Sequence, residues 1–275
     1  MSNCKVNALT NQKGGVGKTT TAVNLGVSLV QQGKKVLLID ADAQANLTMA
    51  LGYNRPDDIP ITLSTVMQNI IDDKTLDVSQ GIIHHSEGVD LLPSNIELSG
   101  FEVRLINAMS RERVLKTYVN EVKKNYDYVL IDCMPSLGMI TINALAAADS
   151  VIIPTQPHYL SAKGLELLLR SVSMVKRQIN PKLRIDGILM TMVMPRTNIS
   201  KEITATVKSA YGKKIKVFDT EIPHSIRAVE ATAEGKSIFA YDKSGKVAAA
   251  YEQLGKEVAE IGEKQRNQNR ADRIR

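Results

Sequence analysis

Residues 11–21 read Asn-Gln-Lys-Gly-Gly-Val-Gly-Lys-Thr-Thr-Thr, a glycine-rich turn that ends in Gly-Lys-Thr. Glycines in such a turn let backbone N–H groups approach a phosphate closely. The lysine and the hydroxyl that follow can reach the β/γ-phosphates and a Mg²⁺ ion. A strand-like run precedes the turn at residues 6–10, and a helix-like apolar segment follows it at residues 22–30. Because such a unit points the positive end of the helix at the anion, the stretch predicts a nucleotide site. Its predicted members are Gly14, Gly15, Val16, Gly17, Lys18, Thr19 and Thr20.

Strand-like runs recur along the rest of the chain, with helical segments between them. The runs lie at residues 35–40, 89–92, 128–132, 150–153 and 185–190, and helical candidates lie at residues 161–179, 200–211 and 245–261. Near-continuous apolar strands are typical of a parallel sheet covered on both faces, and alternation with helices implies right-handed βαβ units. We therefore predict one doubly wound α/β domain over residues 1–262, with its ligand at the carboxyl ends of the strands. A basic, polar tail at residues 263–275 is predicted to be loosely ordered.

Carboxylates stand at the ends of two of these predicted strands. Asp40 and Asp42 end the second strand, and Asp132 follows four apolar residues at the end of another. Carboxylates placed there, beside a phosphate loop, are suited to hold Mg²⁺ and its bound water opposite the loop threonine. The sequence therefore predicts metal ligation by Thr19, Asp40 and Asp132.

Composition narrows the class of protein. Of the 275 residues, 43% are hydrophobic, which is ample for a sizeable core, and there is no apolar run of the length that spans a bilayer. The start of the chain has no basic-then-apolar signal segment. Two cysteines cannot build a disulfide framework or a four-ligand metal site, and aromatic residues are only 4%. We therefore expect a reduced, cytoplasmic protein without a base-stacking platform.

The front of the glycine-rich turn departs from the standard phosphate-loop pattern. Gln12 stands where that pattern has glycine, and an additional lysine, Lys13, follows it. This resembles the deviant phosphate loop of the ParA/MinD ATPase group. In that group the front lysine reaches across a dimer to the partner's nucleotide. The resemblance therefore implies an ATP-dependent homodimer in which Lys13 contacts nucleotide and acts in trans.

Four later segments extend the resemblance in order along the chain. They are residues 40–44, 133–138, 191–198 and 222–227, which resemble the family's Asp-x-Asp-Pro-Gln, Cys-Pro-Pro-Ser-Leu-Gly, Thr-Met…Arg-Thr-Asn and Ile-Pro-Arg-x-Val-Arg. Two positions differ, because Ala43 and Met134 stand where proline is usual. The resemblance covers roughly residues 5 to 260 and is to short ParA/Soj-type partition ATPases.

The resemblance implies roles for these residues, with ATP and Mg²⁺ as cofactors. Lys18 and Thr19 bind phosphate and metal, Asp42 positions the attacking water, and Asp40 with Asp132 supports the metal shell. Hydrolysis is expected to be slow and stimulated by a partner. The residues expected near adenine are Thr191, Met192 and Pro223.

Charge and family together suggest what the ATPase serves. The net charge is +6, the pI is about 9.2, and the last third of the chain is rich in lysine and arginine. The resemblance implies nonspecific binding of double-stranded DNA for partition of a plasmid, chromosome or mobile element, with a centromere-binding activator and a nucleoid-associated location. The DNA-binding candidates are Arg196, Lys201, Arg227 and Lys236.

Two alternatives remain at this stage. A MinD-like membrane-associated ATPase needs an amphipathic C-terminal helix, but Ile274 is the only bulky apolar residue of the tail. A ParA-like ATPase that positions a protein cargo shares the same switch, and the partner alone distinguishes it.

Overall fold

The computed structural model describes residues 4–75, 77–158 and 161–274. A single seven-stranded sheet lies at its centre, in the order β3-β4-β2-β5-β1-β6-β7. Neighbouring strands pair in parallel except for β3, which is antiparallel to β4. The strands are β1 (Lys5–Leu9), β2 (Val36–Ala41), β3 (Ile83–His84), β4 (Asp90–Leu92), β5 (Tyr128–Cys133), β6 (Ser150–Thr155) and β7 (Arg184–Met190).

Helices cover both faces of this sheet. They are α1 (Lys18–Gln31), α2 (Asn46–Ala50), α3 (Leu63–Ile71), α4 (Glu97–Leu105), α5 (Val114–Val122), α6 (Met139–Ala147), α7 (Ser161–Gln178), α8 (Asn198–Tyr211), α9 (Ile226–Ala233), α10 (Ile238–Tyr241) and α11 (Lys246–Ile274). Alternate strand residues serve opposite faces, as the period of a strand requires. On β2, Leu37 and Ile39 pack in the core beneath α3 to α7, whereas Val36 and Leu38 pack beneath α1 and α11. The predicted doubly wound α/β fold is confirmed.

Sequence patterns located most of these elements. Each predicted strand has a counterpart in β1, β2, β4, β5, β6 or β7, and the three helical candidates correspond to α7, α8 and α11. Strand β3 was not predicted, because a two-residue edge strand carries almost no periodic signal. The tail prediction differs from the structure, since α11 runs on through Gly262 to Ile274. Glu, Lys, Gln and Arg, which dominate this tail, are strong helix formers. Arg275 lies outside the described residues.

A polar cluster is buried at the amino end of the sheet, far from the glycine-rich turn. Asp186 of β7 lies 2.5 Å from the Nζ of Lys5, and it accepts hydrogen bonds from Asn7 (2.8 Å) and Ser150 (2.9 Å). Its other oxygen accepts the Nε2 of Gln265, at 2.8 Å, from the tail part of α11. Burial lowers the pKa of Lys5, and the nearby Asp186 opposes that effect. The cluster therefore joins both ends of the chain to the sheet.

Replacing Lys5 by alanine should lower the free energy of unfolding by about 3–5 kcal/mol, because Asp186 would remain buried without its cation. Lys74→Ala is a suitable control, since Lys74 pairs with Asp72 at the surface and such pairs contribute little. Urea denaturation of both variants measures the difference. Equal stabilities for the two variants would show that the buried pair does not hold the strands together.

Candidate nucleotide-binding site

The glycine-rich turn connects the carboxyl end of β1 to the first residue of α1. Gly15 and Gly17 have φ angles of 70° and 80°, a region that side chains disfavour. Gly17 caps α1, which begins at Lys18. The free N–H groups of the first helical turn therefore face the space above the loop, where a phosphate would lie.

Asn11 fixes the entry to the loop. Its Nδ2 donates to the carbonyl of Pro154 on β6, at 2.7 Å, and its Oδ1 accepts the backbone N–H of Lys13, at 3.0 Å. The backbone at Lys13 is thus tied to the neighbouring strand. The Lys13 side chain is half-buried and has no ion-pair partner among the described residues. Its contact with a partner's nucleotide stays a prediction.

Two further side chains hold the loop from the β6 and β7 side. Thr191 donates its hydroxyl to the carbonyl of Val16, at 2.8 Å. Gln156 donates its Nε2 to the carbonyl of Gly15, at 2.7 Å, and the same amide contacts the sulfur of Met192. With these carbonyls held, the amides of the loop are fixed in orientation before any ligand arrives.

Gln156 was not among the predicted site residues. It directly follows β6, which lies beside β1 in the sheet. A polar residue at the carboxyl end of a strand that neighbours the phosphate-loop strand is a usable signal, because ligands bind at that edge. The sequence alone did not reveal that β6 would be the neighbour of β1.

Lys18, Thr19 and Asp132 lie close together at the start of α1 and the end of β5. Thr19 donates its hydroxyl to Oδ2 of Asp132 at 2.6 Å. The Nζ of Lys18 lies 3.4 Å from the carbonyl of Lys13, and its side chain is only 7% exposed. Burial lowers the pKa of Lys18, and the negative charge of Asp132 opposes that effect.

Asp40 and Asp132 are direct neighbours on β2 and β5, and both are buried. Asp40 accepts the backbone N–H and the hydroxyl of Thr48 at 2.8 and 2.7 Å. Burial raises the pKa of Asp40 to about 7, while the bonds from Thr48 oppose the rise. Burial and the charge of Asp40 raise the pKa of Asp132 to about 8. Together these two groups favour the arrival of a cation.

The oxygen set at this edge fits Mg²⁺. Oδ1 of Asp132 is buried and has no hydrogen-bond partner among the described residues, and the Thr19 hydroxyl lies beside the same carboxylate. Mg²⁺ usually takes one or two protein oxygens and completes its shell with water and substrate phosphate.

Asp42 lies at the mouth of the site. Its Oδ1 accepts the N–H of Gln44, at 3.0 Å, and its Oδ2 lies 3.5 Å from the Nδ2 of Asn46. These contacts hold the carboxylate beyond the end of β2 without consuming all of its acceptor capacity. A role in positioning water stays a prediction.

The residues predicted near adenine occupy two positions. Thr191 and Met192 lie directly against the loop. A Cβ atom at Gly17 would lie 3.9 Å from the side chain of Thr191 and 3.8 Å from that of Met192. Pro223 lies farther along, where it pairs with Val193 in an isolated bridge. The contact of these residues with adenine stays a prediction.

The predicted DNA-binding residues differ in whether their side chains pair with carboxylates of the same chain. Arg196 and Lys201 are exposed and have no ion-pair partner among the described residues. Arg227 lies 3.7 Å from Asp242, and Lys236 pairs with its near neighbour Glu234, at 2.9 Å. The last two cations are therefore partly neutralised within the chain.

Comparison with known proteins agrees with this geometry. A family model described as an AAA domain matches residues 4–185. The sporulation initiation inhibitor protein Soj of Bacillus subtilis is 44% identical over 94% of this chain and 99% of its own length. The chain belongs to the ParA/Soj family of P-loop ATPases. The chromosome partitioning protein ParA of Myxococcus xanthus is 38% identical over 92% of this chain and 87% of its own length.

A solved structure shares the fold of this ParA/Soj-family chain. It is cobyrinic acid a,c-diamide synthase from Mycobacterium smegmatis with a bound ATP analogue and magnesium, 35% identical, with a TM-score of 0.81 over 92% of this chain and 93% of that one. Within the described residues, no helix has the length and apolar character needed to cross a membrane.

Gln156→Ala should weaken binding of an ATP analogue by about two- to twelve-fold, which corresponds to the loss of one hydrogen bond that orients the loop. Gln156→Glu should weaken it further, because a carboxylate cannot donate to Gly15 and repels phosphate. Titration with a fluorescent ATP analogue measures both variants. Gln178→Ala, at the exposed end of α7, serves as the control. Unchanged affinity in both Gln156 variants would remove this residue from the site.

Proposed function

We propose that this protein is an ATP-dependent dimerising switch that binds DNA nonspecifically and drives the partition of a plasmid, chromosome or mobile element. The observation that carries the proposal is the convergence of Lys18, Thr19 and Asp132 on one glycine-rich loop, with a second lysine, Lys13, at its front. The family supports this function, because the relative from Myxococcus xanthus is a chromosome partitioning protein.

The proposed chemistry is Mg²⁺-dependent hydrolysis of ATP to ADP and phosphate. Lys18 and the amides at the start of α1 bind the β/γ-phosphates, and Thr19 with Asp132 holds the metal. When bound, Mg²⁺ neutralises charge on the phosphates. Asp42 orients the attacking water, and Asp40 keeps the adjoining strand end in place through its two bonds from Thr48.

Lys13 supplies the remaining positive charge from the other protomer. Its backbone is anchored by Asn11, whereas its side chain has no anionic partner within the described chain. A cation delivered across an interface stabilises charge that develops during phosphoryl transfer, and arginine residues that act in this way contribute about 10³–10⁵ in rate. ATP thereby becomes part of the interface, so the nucleotide state controls assembly.

An apolar surface beside the site supports a homodimer. Large side chains on and around α4 are exposed, with 54% exposure for Ile96, 65% for Val103, 54% for Ile106 and 94% for Met109. On the same helix, Glu102 accepts the backbone N–H of Ile140, at 3.2 Å, just after the Asp132 strand. Several large apolar side chains exposed on one short stretch of chain are consistent with an interaction surface. A second protomer that meets the loop would cover them.

The proposal has three further parts. The ATP dimer binds DNA, the protein is located at the nucleoid, and a centromere-binding protein activates it. The chain carries a net charge of +6, so a dimer presents about twice that charge to a polyanion. Contacts with phosphate carry little sequence information, which fits a protein that moves over bulk DNA.

Fluorescence anisotropy of a labelled duplex, in ATP and in ADP across a salt series, tests the DNA-binding output. Wild type should bind in ATP, with affinity that falls linearly on a log–log plot against salt by about 0.9 per phosphate contact. Lys18→Ala should lose the binding, because it cannot hold the nucleotide. Equal affinity in ATP and ADP, or no dependence on salt, would falsify the proposed switch.

Mixing two inactive variants tests the action of Lys13 in trans. Lys13→Ala and Asp42→Ala should each lose about 10³-fold or more in ATPase rate. In a mixed dimer, the protomer that keeps Asp42 receives an intact Lys13 from its partner, so an ATPase assay of the mixture should regain activity. A mixture as inactive as its components would show that Lys13 acts within its own protomer.

A further inference from the structure

Residues 134–138 connect β5, the strand that carries Asp132, to α6, and their outer end is held from α4. Gly138 precedes the first residue of α6 and has no side chain that could cap the free N–H groups of the first helical turn. Glu102 of α4 supplies the acceptor instead, because its Oε1 accepts the backbone N–H of Ile140 at 3.2 Å. A carboxylate at the positive end of a helix is a favourable arrangement.

The same carboxylate packs against the backbone of Gly138. A Cβ atom at this position would overlap Oε1 of Glu102 and lie 3.2 Å from its Cδ, and the three nearest atoms all belong to Glu102. The backbone of Gly138 is extended, with φ of −68° and ψ of −178°, a conformation that other residues also adopt. Glycine is therefore not required here by its backbone angles. It leaves room for the Glu102 carboxylate.

Further hydrogen bonds fix both ends of this connection. The Oγ of Ser136 accepts the N–H of Gly138 at 3.3 Å, and the carbonyl of Ser136 accepts the hydroxyl of Thr141 at 2.8 Å. At the other end, Asp132 accepts the hydroxyl of Thr19 at 2.6 Å. Residues 134–138 are thus tied to the phosphate loop on one side and to the start of α6 on the other. Glu102 adds support to the second side from a separate helix.

We propose that Glu102 is a positioning residue for the Asp132 side of the nucleotide site; this inference rests on the proposed function. By holding the first turn of α6, its carboxylate fixes the outer end of residues 134–138 and, through them, the direction of the Asp132 carboxylate. Oδ1 of Asp132 is buried and has no hydrogen-bond partner among the described residues, so its direction decides whether it can meet Mg²⁺. Residues that orient metal ligands from behind contribute about 10–100-fold in metal affinity or activity.

Different elements support the two sides of the site. The loop proposed to receive the phosphates is held from the β6 and β7 side by Gln156 and Thr191. The Asp132 side is supported from α4 by Glu102. Loss of the Glu102 carboxylate should therefore weaken the effect of Mg²⁺ on nucleotide binding and leave metal-free nucleotide binding unchanged. A general loss of structure would weaken both.

The body of α6 has an anchor of its own, so the effect of losing Glu102 should remain local. Asn143 accepts the backbone N–H of Leu115 at 3.1 Å and donates to the carbonyls of Arg111 and Met139 at 2.7 and 3.0 Å. These bonds attach α6 to the start of α5 without any contribution from Glu102. We therefore expect variants at position 102 to keep the fold and to alter only the beginning of α6 and the connection before it.

Titration with a fluorescent ATP analogue, in EDTA and across a Mg²⁺ series, tests the proposal. In Glu102→Ala, the Mg²⁺ concentration that gives half of the metal-dependent gain in affinity should rise about 10-fold, while the affinity in EDTA stays at the wild-type value. Glu102→Gln should lie closer to wild type, because its amide oxygen still accepts the N–H of Ile140. Glu97→Ala is the matched control, since Glu97 is an exposed carboxylate of α4 whose side chain has no bonding partner among the described residues.

Gly138→Ala disrupts the same contact from the other side and carries the test alone if Glu102→Ala does not fold. The added methyl group should displace the carboxylate and reproduce the weaker Mg²⁺ response. In a chain that already carries Glu102→Ala, the methyl group meets the space left by the carboxylate, so the double variant should respond like the single variant. Gly100→Ala on α4 is the control, because no described atom lies within 4 Å of a Cβ atom at that position.

The results distinguish the role of Glu102 from the proposed function. If Glu102→Ala and Glu97→Ala respond equally to Mg²⁺, or if the effects of Glu102→Ala and Gly138→Ala add in full, Glu102 does not position the site, and the proposed function stands. If Glu102→Ala loses as much affinity in EDTA as in Mg²⁺ and is less stable in urea, its role is only structural and the proposal is wrong. If the wild type itself shows no response to Mg²⁺, the proposed function fails and the inference fails with it.

Discussion

The electrostatics of the candidate site depend on two carboxylates that are buried side by side. Asp40 and Asp132 are adjacent in register at the ends of central strands, where helices exclude water from both faces of the sheet. Burial raises the pKa of both, to about 7 and about 8, and nearby positive charge favours their ionised forms. Lys18 supplies part of that charge, and a divalent cation is suited to supply the rest. The Thr19 hydroxyl, which donates to Asp132, connects this pair to the glycine-rich loop.

The sequence predicted the parts of the molecule that are encoded locally. The glycine-rich turn and the strand-end aspartates are recognisable because each combines a short motif with an apolar run. Gln156 and Thr48 could not be found in this way, since their importance depends on which strands become neighbours. The prediction of a loosely ordered tail at residues 263–275 differs from the structure for another reason. Its polar composition suggested disorder, but a hydrogen bond from Gln265 to Asp186 at the sheet holds a segment that already favours helix.

The positions of basic residues in the sequence likewise do not show which surface can bind a polyanion, because their ion-pair partners are not known until the fold is known. Arg227 and Lys236 looked equivalent to Arg196 and Lys201 in the sequence, yet the first two face carboxylates of their own chain. Lysines after α8, which no motif singled out, share a cavity wall with Lys208. Three-dimensional pairing, rather than the density of basic residues, therefore decides which surface is available to a polyanion.

The polar cluster at the amino end of the sheet also has a consequence for how the protein is made. Lys5 begins the strand that leads into the phosphate loop, and its buried counter-ion, Asp186, lies on β7, with Gln265 contributing from α11. During synthesis, that first strand cannot gain its full set of neighbours until most of the chain has left the ribosome. Contacts so distant in sequence form slowly. We therefore expect the nascent protein to acquire nucleotide-binding ability late, after translation of the last strand.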